Sequence, residues 1–163
     1  MRNRNRLFHY TTRNALSSIL QDGSIKASTA LIDPNERPAI WCSYNPIWEK
    51  TANKNWVDPK TNKLHLLNKQ QTHERYGLVR FEVSPSSAPY TWSEFRHMSG
   101  ISRRTFRLLK KVNHRLGINE DSEWRISFKP IQRDSWLSIE VWDGNEWQLH
   151  DDTIEEGGVA YGT

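Results

Sequence analysis

Eight tryptophans, five tyrosines and five phenylalanines stand in a 163-residue chain whose hydrophobic fraction is only 36%. No other feature constrains the fold as tightly. Each buried ring removes roughly 150–250 Å² from water, so a chain this poor in aliphatic side chains must assemble its core around aromatic ones. At 19.2 kDa the length suits one domain with one small core, and leaves no room for a second.

Local patterning divides the chain into short strands and helices. Leu7 to Tyr10 reads as a strand after an Arg/Asn-rich arm over residues 1–6. Thr11 or Thr12 can cap a following helix that places Ala15, Leu16, Ile19 and Leu20 on one face, and Gly23 stands where a helix-ending glycine belongs. Ala39 to Ser43 is an apolar run that predicts an interior strand, with Pro46 opening a short helix through Ala52. Residues 53–75 are polar and predict a mobile loop or irregular insertion. A strand is expected over Leu78 to Val83, a short helix over Thr91 to Met98, and a longer helix from the Ser102 cap to Gly117. In that last helix Ile101, Thr105, Leu108, Leu109, Val112 and Leu116 form the expected buried stripe. Trp124 to Phe128 and Trp136 to Trp142 alternate as strands, and Asp143-Gly144 turns the second into a hairpin. The fold class expected is α+β, followed by a tail over residues 151–163.

Charge is unevenly placed. All 23 Lys and Arg lie in residues 1–133 against 11 carboxylates, a local balance of +12, whereas residues 134–163 carry eight carboxylates and neither Lys nor Arg, −8. Such a field draws polyanions to the basic part, unless body and tail neutralise one another. One cysteine, Cys42, rules out an internal disulfide and points to a reducing compartment. With no apolar run near twenty residues and no charged, then greasy, start, neither a membrane span nor a secretory leader is expected, and the location expected is cytoplasmic. The eight glycines form no phosphate-binding loop, which excludes Rossmann and P-loop readings. The six histidines lack helical metal-pair spacing, so no metal is expected.

The residues that remain carry chemistry at strand ends. Phe8-His9-Tyr10-Thr11-Thr12, with Leu16, Ile19, Gly23, Ile25 and Ser28, resembles the first motif of the ADP-ribosyltransferase superfamily. Ala39-Ile40-Trp41-Cys42-Ser43-Tyr44-Asn45-Pro46, leading into Trp48, is similar to the family's second motif, and Ser138-Ile139-Glu140 offers its late-strand glutamate. The resemblance implies a split β-sheet core with flanking helices and a cleft for NAD between two small sheets. It implies that His9 bonds a ribose hydroxyl, that Tyr10 and Thr11 hold the nicotinamide amide through their backbone, and that Ser43 supports the site. Tyr44 or Trp48 would stack on nicotinamide. Glu140 would stabilise the oxocarbenium-like transition state with its charge, with Glu82 and Glu146 as substitutes. Each of these residues also has a plain structural reading: His9 as a hydrogen-bonded core histidine, Trp41 and Cys42 as core packing, Glu140 as an outward carboxylate.

Two departures weigh against modification of protein arginines: Ser138 stands two residues before Glu140, and the second motif reads Ser-Tyr. The resemblance extends to uncharacterised bacterial and phage proteins with the same His-Tyr-Thr start. Arg103, Arg104, Arg107, Lys110, Lys111 and Arg115 share the other face of the long helix and, with Arg2, Arg4 and Arg6, could track phosphates. The expected activity is therefore transfer of ADP-ribose from NAD to a DNA, RNA or protein acceptor, or hydrolysis of NAD, in a toxin-like protein with an antitoxin or host factor as a possible partner. The alternative is a non-enzymatic phage or mobile-element protein that grips nucleic acid or an acidic partner through the basic helix.

Overall fold

A short strand, β1 (Leu7–Thr11), runs into a helix, α1 (Arg13–Asp22), that ends where the sequence places a glycine. Gly23 takes the left-handed conformation, φ +64°, and its N–H donates to the Ile19 carbonyl at 2.9 Å. Thr12 occupies the N-cap position in extended geometry but makes no side-chain cap bond. The computed structural model describes residues 6–30 and 32–151; most of the basic arm and the acidic tail from residue 152 onward lie outside the described residues.

The chain continues through β2 (Ser24–Ile25) and β3 (Ile40–Ser43). The helix expected after Pro46 is reduced to one 3₁₀ turn, Lys50–Ala52, which the Glu49 carboxylate caps from the preceding residue. Residues 53–75 depart from expectation. They form a hairpin, β4 (Asn55–Val57) and β5 (Leu64–Leu66), and a helix, α2 (Lys69–Tyr76). Local hydrogen bonding rather than apolar patterning specifies this order. Asp58 accepts from Lys60 N–H and Thr61 Oγ1 at 2.8 Å each, closing the hairpin turn. Asn68 and Gln71 form a reciprocal capping box at the start of α2.

After β6 (Val79–Val83) come α3 (Trp92–Met98), capped by a Thr91/Glu94 box, and α4 (Arg103–Leu116), whose cap Ser102 accepts from Thr105 N–H. A one-turn helix, α5 (Glu120–Glu123), leads directly into β7 (Trp124–Ser127). The last strands are β8 (Ile131–Gln132), β9 (Trp136–Trp142) and β10 (Trp147–Leu149). The fold is α+β. One antiparallel sheet has the order β10-β9-β6-β1-β3-β7, and the pairs β2-β8 and β4-β5 form small ribbons. None of the described helices is long and apolar enough to cross a membrane.

Strand register sorts the side chains into two layers. The front side of the sheet carries Leu7, Val79, Phe81, Val83, Ile40, Cys42 and Ile139, packed under Leu16 of α1 and the β2-β8 residues Ile25 and Ile131. This half of the core is mostly aliphatic. Phe81 and Trp136 meet edge to face on the front, and most of the other rings lie at the back, in two groups. Under β3 and β7, Trp41, Trp124 and Ile126 meet Trp92, Phe95 and Phe106 of α3 and α4. Under β1, β6 and β9, Phe8, Tyr10 and Leu78 meet Trp48, Trp142 and Trp147.

The strip β6-β1-β3 contains a seam. β1 runs beside β6 from Leu7↔Val83 to Thr11↔Val79, yet it meets β3 at the single rung Phe8↔Ser43. Beyond that rung, from His9 to Thr11, the strands part.

Candidate functional site

His9 stands in the seam. Its Nδ1 lies 2.9 Å from the Trp41 carbonyl oxygen on β3. A carbonyl only accepts, so Nδ1 carries the proton and donates it. Burial lowers the imidazole's affinity for a second proton, and although the bond to Trp41 works the other way, the positive charge of Lys54 adds to the lowering. The ring is therefore held neutral, with the lone pair on Nε2, which is the arrangement that accepts a hydroxyl hydrogen.

Pairing registers decide what shares a side with His9. His9 and Thr11 lie opposite Phe81 and Val79, on the front; Tyr10 lies opposite Arg80, at the back, and Arg80 lies opposite Glu140. Glu140 consequently occupies the side of the sheet away from His9, and the two do not converge on one cleft. Its carboxylate is also engaged, accepting from Arg80 Nε at 2.6 Å in a pair whose side chains are 12% and 6% exposed. Arg80 donates in addition to the Pro46 carbonyl and lies 4.3 Å from the Phe8 ring and 4.5 Å from that of Trp147. The substitute Glu82 is bound by Arg6 at 2.7 Å and by Ser138 Oγ at 3.2 Å, and the Arg6 hydrogen bond chiefly holds its carboxyl below the usual range. Glu146 accepts from Gln148 on the exposed hairpin. None of the three carboxylates expected from the strand pattern faces the seam with an uncompensated charge.

Other expected residues divide in the same way. Tyr10 points to the back, donating its hydroxyl hydrogen to the Asn45 carbonyl. Trp48 is buried there, edge-on to Tyr10 at 5.2 Å and bonded through Nε1 to Asn53 Oδ1 at 2.9 Å, a core position rather than an open stacking platform. Ser43 is buried and holds the turn after β3, its Oγ accepting from Asn45 N–H at 3.1 Å. Tyr44 packs against the front cluster and is half-buried, with the Arg125 guanidinium 5.2 Å from its ring. Cys42 faces the front as well, but burial pushes its thiol up to about 12, which keeps it protonated and poorly nucleophilic.

Two residues that sequence reasoning passed over lie beside Tyr44. Arg125 stands opposite Cys42 on β7, hence on the front. Glu123 sits one rung beyond the Ser43↔Trp124 pair: its carbonyl accepts from Tyr44 N–H at 2.8 Å, and the residue is 7% exposed. Trp124 belongs to the back cluster and Tyr44 packs against the front one; Glu123, the last residue of α5, meets Tyr44 through its carbonyl. The available signal was a carboxylate immediately before the alternating run Trp124-Arg125-Ile126-Ser127.

Comparison with known proteins returns no match. No protein family, curated protein or solved structure is recovered with this chain. The assignment of a role therefore stands on the geometry of the seam and on the motifs at its edges. Among the described residues no group of three or more His, Cys, Asp or Glu is placed to hold a metal ion.

The six cations expected on the long helix are all exposed on α4. They sit apart from the seam's front edge, on a helix anchored behind β3 and β7 by Phe106. The helix is rotated relative to the aliphatic stripe expected from sequence. Phe106 and Asn113 are buried, whereas Leu108 and Val112 are 53% and 47% exposed. Asn113 is accommodated because its Nδ2 donates to Glu120 Oε1 at 3.0 Å.

Proposed function

We propose that this chain is an ADP-ribosyltransferase-like enzyme that takes NAD as its substrate at the front of the seam between β1 and β3. The observation that carries the reading is the proton held on His9 Nδ1 by the Trp41 carbonyl across that seam. It fixes the tautomer and leaves Nε2 as a neutral acceptor, which suits a ribose hydroxyl. Tyr44 supplies an aromatic face for nicotinamide. Arg125 supplies a cation for the diphosphate. The resemblance implies a split sheet, whereas the strands here form one six-stranded sheet in which β1 meets β3 at a single rung.

The carboxylate in this proposal is Glu123, in place of Glu140. Cleavage breaks the bond between the ribose C1′ and the nicotinamide nitrogen; the electron pair leaves with nicotinamide, and positive charge develops on the sugar. A carboxylate fixed beside it stabilises that charge. Water or another nucleophile then adds at C1′ and releases its proton. Glu140 lies on the side of the sheet away from His9, paired with Arg80.

Nicotinamide released from NAD, followed by chromatography, tests the assignment. Glu123→Gln is expected to lower the rate per folded molecule by about 10²–10³-fold, the usual cost of losing one electrostatic stabiliser, with the folded fraction followed by circular dichroism. Glu140→Gln is expected to do the reverse: it strands Arg80 in the interior and destabilises the fold by about 3–5 kcal/mol, with the rate per folded molecule preserved at low temperature. Release that depends on Glu140 and is indifferent to Glu123 would overturn the proposal.

A further inference from the structure

We infer that the exposed side of α4 is a docking surface for the phosphate backbone of a nucleic acid, and that nucleic acid is the acceptor of the enzyme proposed above. The acceptor role rests on the NAD reading; the docking does not.

Arg103, Arg104, Arg107, Lys110, Lys111 and Arg115 are exposed along α4, and none of them takes part in an ion pair among the described residues. Arg96 and His97 at the end of α3 extend the same stretch, around a shallow groove shared with Arg103 and Arg107. A carboxylate near the helix, Asp33, is taken up at its N-terminus by Ser102 N–H and Thr105 Oγ1. Residues three and four apart on a helix are separated by roughly 5–6 Å, so Arg104, Arg107, Lys111 and Arg115 make a row of cations along one line. Such a row matches the repeating charge of a polynucleotide strand. Four of the six are arginines, whose planar forks suit phosphate oxygens.

A lipid surface fits less well. A membrane-lying helix must insert a broad apolar face, and here the large apolar side chain of α4, Phe106, is committed to the core with Trp92 and Trp124. Leu108 and Val112 alone stand among the cations.

The surface is also tied to the proposed site. Asn113 of α4 bonds Glu120 of α5, the helix that ends at Glu123. Lys50, in the turn that follows β3, donates to the Leu116 carbonyl at the end of α4 at 3.1 Å. Through these two bonds α4 is joined to α5 and to the turn after β3, the elements at the edge of the proposed site.

Fluorescence anisotropy of the apoprotein with labelled random-sequence DNA and RNA single strands tests the docking, with phosphatidylserine-containing vesicles measured in parallel. Contact with six phosphates is expected to cost about 300-fold in affinity between roughly 50 and 200 mM NaCl, and the triple variant Arg104→Ala/Arg107→Ala/Lys111→Ala should reduce that loss to about 20-fold. Lys60→Ala/Lys63→Ala, on the exposed β4-β5 turn, should match the wild type. Affinity indifferent to salt, a triple variant that binds like the wild type, or tighter binding to vesicles than to either oligonucleotide would overturn the docking.

For the acceptor role, NAD labelled in its adenine is incubated with protein and oligonucleotide. Label is expected on the oligonucleotide with the wild type, and to be lost with the triple variant although nicotinamide is still released. Nicotinamide release with label only on protein or in free ADP-ribose overturns the acceptor and spares the NAD reading. No release at all overturns the NAD reading and the acceptor with it, and the docking is then decided by the anisotropy alone.

Discussion

Burial lowers the His9 pKa from its ordinary value of 6.5, and Lys54 adds to the lowering despite the opposing bond to Trp41. The consequence for stability has a definite sign. Below the unfolded value the unfolded imidazole binds a proton that the folded one refuses, so the folded state loses stability as pH falls through about 6.5 and below. Melting temperature should therefore decline from neutral pH toward pH 5.5, and the decline should be shallower in His9→Gln. Stability linked to Glu82 is lost at lower pH, because its carboxyl is held below the ordinary 4.5 and that contribution is present until protonation. A His9→Gln curve parallel to the wild type would mean that the imidazole is not held neutral.

At this scale the sequence revealed which element holds each residue better than where its side chain points. The strand that holds His9 was legible from its pattern. That Glu140 faces away from His9 was not legible for a physical reason: the face a strand residue occupies depends on pairing register across β1, β6 and β9, and a one-residue slip inverts it. Register is a tertiary property. The position of Glu123 was harder to read still, because it ends a helix where β7 begins, and no periodicity marks such a position.

Among elements, the strands β1, β3, β6, β7, β9 and β10 and the helices α1, α3 and α4 were legible because caps, glycines and alternation announce them locally. Gly23 and Gly117, both in the left-handed region after their helices, show that chemistry directly. The rotation of α4 was not legible. Aliphatic spacing favoured Leu108 and Val112, but Phe106 joins the aromatic cluster beneath β3 and β7, and Asn113 follows it into the interior once Glu120 meets its amide. Truncation separates the two stripes. Leu108→Ser should change stability by no more than about 0.5 kcal/mol, whereas Phe106→Ala should cost about 3–5 kcal/mol, both measured by urea unfolding. Equal costs would place the helix in the orientation read from its aliphatic residues. The order in residues 53–75 was missed for a related reason: the β4-β5 turn and the α2 capping box are built from side-chain hydrogen bonds in a polar segment, where apolar pattern is silent.

The molecule as a whole follows its composition with one qualification. Tryptophan and its aromatic companions build the core chiefly behind the sheet; the front half is mostly aliphatic around Phe81 and Trp136, and the candidate seam lies on that side. The division of charge was plain from the order of residues, and its basic half is realised as the exposed side of α4. A nitrogen-15 spectrum of the histidine side chains, recorded while NAD is added, measures the seam itself. Before addition, the His9 ring should show a proton on Nδ1 and an unprotonated Nε2; on addition, the Nε2 resonance should move as it accepts a hydroxyl hydrogen, and it should do so in Glu123→Gln as well. An Nε2 resonance unmoved at millimolar NAD, or a ring protonated at Nε2 from the outset, would contradict the placement of NAD against His9.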